Sequence, residues 1–60
     1  MANIGDRIRI VKMEGEPQYD GAEGVIQTIG KDCDGDEYWR GTWGGLSVYP
    51  SKDEVEVIGR

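Results

Sequence analysis

The apolar positions of this chain alternate with polar ones in short runs, and each run ends at glycine, proline or a cluster of aspartates. From Asp6 to Val11, Ile8 and Ile10 alternate with Arg7 and Arg9. That period of two predicts a half-buried strand, opened by the turn signal Gly5-Asp6. Glu23 to Ile29 carries the β-branched Val25, Ile26, Thr28 and Ile29 and predicts a second strand. Gly24 near its start marks a bulge or a close backbone approach. Glu37 to Trp43 predicts a third strand, with Trp39, Gly41 and Trp43 facing inward and Tyr38, Arg40 and Thr42 outward. Gly44-Gly45 is a two-residue hairpin signal, Leu46 to Tyr49 a fourth strand, and Glu54 to Ile58 a fifth.

The connections are equally legible. Lys12 to Ala22 contains Gly15, Pro17 and Gly21, which exclude a regular element, and Met13 and Tyr19 are the groups able to pin it to the body. Gly30 to Asp36 is a polar turn rich in residues that tolerate left-handed backbone. Pro50 to Asp53 suits one helical or 3₁₀ turn. No stretch keeps a helical period. Five short strands with a long first loop predict an all-β domain over residues 1–60, a five-stranded barrel whose closure removes exposed edges.

The chain has 60 residues, so one small core is all it can build. No apolar run approaches the ~20 residues of a membrane helix. The N-terminal residues lack the basic and apolar regions of a signal peptide, so the expected location is cytoplasmic. There is one cysteine, Cys33, and no histidine. An intrachain disulfide and a cysteine–histidine zinc site are therefore excluded. Twelve acidic residues against seven basic ones give a net charge of −5, which disfavours binding to phosphate backbones.

The order strand, long loop, strand, turn, strand, hairpin, strand, short turn, strand resembles the Src-homology-3-like (SH3-like) barrel. Particular residues extend the likeness: Gly5-Asp6-Arg7 before a strand, Gly21-x-x-Gly24-x-Ile26 with Val25, then Trp43, Leu46 to Pro50, Asp53 and Val55 to Ile58. Together they resemble a small bacterial and phage family of unknown function. The resemblance implies a barrel fold and no activity. The glycine-rich stretch is also similar to barrels of ribosomal and transcription-factor domains that bind RNA. Those are basic at their binding loops, whereas this region carries Glu14, Glu16, Asp20 and Glu23.

Catalytic constellations are missing. Cys33 has no base beside it, Ser47 and Ser51 have no relay partner, and a chain this short has no deep pocket, so no enzyme is expected. Asp32, Asp34 and Asp36 suggest a calcium loop. Counted from Asp32, however, the glycine falls at position four and Trp43 at position twelve, where such a loop needs positions six and a glutamate. The turn is read as a polar hairpin with no metal, and no cofactor is expected.

The remaining signal is aromatic. Tyr and Trp suit surfaces where one edge stays wet. Trp39 and Trp43 are assigned to the core. Tyr19, Tyr38 and Tyr49, with Pro50, would line the peptide surface that the barrel resemblance places between the long first loop and the last turn. Glu14, Glu16 and Asp20 would rim it and favour a basic peptide or protein partner. Two alternatives stand beside this binding module: an acidic phage or mobile-element inhibitor that mimics nucleic acid, and a nucleic-acid-binding barrel using Arg7, Arg9 and Arg40.

Overall fold

The computed structural model describes residues 2–59. The chain is all-β. Four strands, β1 (Arg7–Lys12), β2 (Glu23–Lys31), β3 (Glu37–Gly41) and β4 (Glu54–Gly59), form one antiparallel sheet in the order β3-β2-β1-β4. The loop between β1 and β2 holds a single 3₁₀ turn, Pro17–Tyr19, opened by the fixed φ of Pro17.

β1 is an inner strand, and its alternation does what the pattern predicts. Ile8 and Ile10 are fully buried while Arg7 and Arg9 face out. Arg9 pairs in register with Glu23 on β2 and Glu56 on β4, and its guanidinium reaches both carboxylates, at 3.2 and 2.9 Å. These are exposed cross-strand pairs, each contributing well under about 1 kcal/mol, but they agree with the register. Ile26, Met13, Trp39, Trp43 and Val48 complete the core. Met13 and Tyr19 do pin the long loop: Met13 is buried, and Tyr19 packs partly buried against the same cluster.

The sheet departs from the expected five-stranded SH3-like barrel in two ways. It has four strands, and it is open: among the described residues, β3 and β4 are opposite edges with no ladder between them. The predicted fourth strand, Leu46–Tyr49, shrinks to one bridge, Val48 to Trp39, with both backbone bonds made at 2.7 and 2.8 Å. The flanking backbone groups explain why. The Leu46 carbonyl accepts the Trp43 indole N–H, the Tyr49 N–H donates to Asp53, and Pro50 has no N–H to give. The Leu46 carbonyl and the Pro50 nitrogen, one on each side of Val48, are thereby withdrawn from the ladder. The Gly44-Gly45 hairpin is likewise replaced by a turn at Thr42-Trp43 followed by a bend.

That turn is set by a close approach of two backbones. The Thr42 N–H donates to the Val25 carbonyl at 3.1 Å, and the Val25 N–H donates to Thr42 Oγ1 at 2.9 Å. Glycine is required on both sides. A methyl carbon on Gly24 would lie 2.7 Å from the Trp43 nitrogen, and one on Gly41 would collide with the Val25 carbonyl and sit 2.5 Å from the Trp43 ring. β3 therefore stops at Gly41, two residues before the expected Trp43. The connection before β4, Pro50 to Asp53, makes the single turn predicted for it, with Lys52 and Asp53 N–H groups both donating to the Tyr49 carbonyl.

Steric overlap with backbone atoms cannot be relieved by rotating a side chain. Gly41→Ala is expected to destabilise the fold by about 2–3 kcal/mol, and Gly24→Ala by about 1 kcal/mol or more. Urea unfolding of both variants reads the difference. Equal stability of Gly41→Ala and the parent protein would contradict the close approach.

Candidate functional site

An open surface groove of about 290 Å³ lies between the long loop and the segment that precedes β4. Met13, Glu14 and Glu16 line one bank, and Leu46, Ser47, Tyr49, Lys52 and Asp53 the other. Leu46, half-buried, supplies apolar surface continuous with the core, and Met13 is buried beneath the lining. Tyr49 adds an aromatic wall, and Glu14 and Glu16 are carboxylates at the rim.

Asp53 holds the two banks together. Its Oδ1 accepts the Glu14 N–H at 3.1 Å, and its Oδ2 accepts the Tyr49 N–H at 2.9 Å. One carboxylate thus fixes the long loop against the last turn through two charge-assisted bonds. Asp20 does a related job at the loop's base, where Oδ1 accepts the Met13 N–H at 3.2 Å. Asp20 therefore shapes the loop instead of lining the groove.

The structure brings together some of the predicted site residues. Tyr49, Glu14 and Glu16 line the groove. Tyr38 stands behind Tyr49, with ring centroids 6.3 Å apart and planes tilted by 50°. The Tyr38 hydroxyl covers Gly30. Tyr19 packs on the other side of the loop, with its ring against Gly44. Pro50 is half-buried and starts the turn. Tyr19, Tyr38 and Pro50 lie outside the groove lining. Met13, Leu46, Lys52 and Asp53 belong to it but were not singled out as site residues. Asp53 had a signal, as the aspartate of a final turn; Lys52 had none.

A cation sits on the aromatic wall. Lys52 Nζ lies 5.3 Å from the centroid of the Tyr49 ring and 3.7 Å from Asp36 Oδ2. Lys52 also borders a second groove of about 250 Å³, with Lys12, Glu14 and Glu54.

Asp32, Asp34 and Asp36 bring carboxylate oxygens within 4.8 Å of one another. The turn's own backbone engages them. Asp32 Oδ1 accepts the N–H of Asp34 at 2.9 Å and of Asp36 at 3.0 Å, and the Gly35 N–H closes on the Asp32 carbonyl. This is the local side-chain-to-backbone bonding by which aspartate favours turns. Cys33 is exposed at the same turn.

Partial burial raises the Tyr49 hydroxyl above its ordinary pKa of 10.0; the Asp32 carboxylate adds to the rise and Lys52 opposes it. A raised value means that the fold favours the protonated phenol. The stability this group contributes is intact below pH 10 and is lost as pH rises through the folded-state value. Replacing Asp32 by Asn should move the Tyr49 phenolate transition to lower pH, read as the ultraviolet difference between each protein and its Tyr49→Phe counterpart. An unmoved transition would show that Asp32 does not act on Tyr49.

No family model, no curated protein and no solved structure matches this chain.

Proposed function

We propose that the protein is a non-enzymatic binding module whose groove takes an extended basic peptide. The observation that carries this reading is the groove itself: apolar Met13 and Leu46, the Tyr49 ring and the Glu14 and Glu16 carboxylates lie on two banks fixed by Asp53. A peptide can lay apolar or methylene surface on such a lining and set Lys or Arg against the acidic rim. The net charge of −5 draws the same partner over longer range.

The groove opens between the long first loop and the turn before the last strand. The surface is narrower than three tyrosines would have made it, with Tyr49 as its aromatic contact. Of the three cations in the nucleic-acid alternative, Arg9 is engaged by Glu23 and Glu56, which leaves that reading with less charge to offer phosphates. The acidic-mimic alternative is favoured by charge alone and accounts for no feature of the groove.

Titration of isotope-labelled protein with blocked hexalysine tests the proposal, with Nε-acetylated hexalysine as the neutral control. Amide shifts are expected at Glu14, Glu16, Leu46 and Tyr49, with a dissociation constant of about 0.1–1 mM, weakening with salt. Glu14→Gln with Glu16→Gln should weaken binding about fivefold. Shifts scattered away from the groove, or equal binding of the acetylated peptide, would refute the proposal.

A further inference from the structure

We propose that Lys52 is an internal stand-in for the partner's cationic side chain, occupying the groove's ammonium subsite in the free protein and leaving it when a basic peptide binds. The inference rests on the binding reading above and gives it a specific anchor point and a built-in competitor.

Three observations carry it. First, the Lys52 ammonium already makes the contacts such a subsite would give a ligand. It lies 5.3 Å from the Tyr49 ring centroid, within cation–π range, and 3.7 Å from Asp36 Oδ2. Tyr38 packs against the Tyr49 ring, with centroids 6.3 Å apart. Asp32 and Asp34 bring further negative charge to within 4.8 Å of the Asp36 carboxylate.

Second, the contact is weak enough to be displaced. The Lys52 side chain is 58% exposed and that of Asp36 38%. At such exposure an ion pair is screened by water and held loosely. A peptide that brings apolar contact to Leu46 as well as a cation has more to offer the site than Lys52 alone.

Third, the side chain can leave without moving the backbone. The turn that carries it is fixed by the Lys52 and Asp53 N–H bonds to the Tyr49 carbonyl and by the Tyr49 N–H bond to Asp53. Lys52 also borders the neighbouring groove, where Glu14 and Glu54 offer it alternative carboxylates.

The test compares Lys52→Met with Lys12→Met. Both remove one positive charge, and Lys12 borders only the second groove. Blocked hexalysine should bind Lys52→Met about fivefold more tightly than the parent, and Lys12→Met less than about twofold more tightly. In the parent protein, the Lys52 side-chain methylene resonances should start shifted upfield by the Tyr49 ring and move to ordinary values as peptide is added. Lys52→Gln repeats the comparison if the Met variant melts at a lower temperature than the parent. Equal gains for the Lys52 and Lys12 variants, with Lys52 resonances that do not move, would overturn the stand-in while the groove reading stands. Absence of groove binding by every variant would overturn both.

Discussion

The contact between the backbone of Val25 and the turn at Thr42 is the constraint on which the rest of this structure depends. Gly24 and Gly41 admit it because neither carries a side chain into a space that backbone atoms fill. Once the chain turns there, Trp43 is driven into the core, where it is 8% exposed, and its indole N–H takes the Leu46 carbonyl at 2.9 Å. Leu46 is thereby set at the groove, Val48 reaches Trp39, and Tyr49 emerges on the wall. A 60-residue chain has little core to spend on positioning a surface site. Here the same tryptophan that fills the core also orders the segment that lines the groove.

Electrostatics enter at two depths with different effects. Asp53, Asp20 and Asp32 use their carboxylates on backbone N–H groups and so determine where loops lie. Glu14 and Glu16 line the groove, where an exposed charge contributes little to stability. Lys52 stands between these roles. Its ammonium pairs with Asp36 and lies over the Tyr49 ring, so it neutralises part of the acidic surface.

The strands were legible where burial alone decides the pattern. Ile8 and Ile10 alternate because β1 has one face on the core, and the inward assignment of Trp39 and Trp43 follows from the same period. The close approach at Gly24 was legible because a glycine in an otherwise β-branched run needs a reason. The barrel was not. Leu46 to Tyr49 has strand composition, but its backbone groups are claimed by a tryptophan indole, an aspartate carboxylate and a proline, and those bonds arise only from the tertiary arrangement. The groove was half legible: Tyr49, Glu14 and Glu16 were recognised from residue type and likeness to a barrel. Tyr19 and Tyr38 were grouped with Tyr49 by residue type, which carries no information on which side of a loop a ring will pack.

The central claim is that the groove is pre-built by the Val25–Thr42 contact and does not form only on binding. Native-state amide hydrogen exchange tests it most directly. The Thr42 and Val48 N–H groups, bonded to Val25 and Trp39, should exchange as slowly as those of Ile8 and Ile10 in the inner strand, through opening of the whole fold. Rapid exchange at Thr42 and Val48 alongside a protected β1 would mean that the segment is only loosely held and that the free protein has no formed groove.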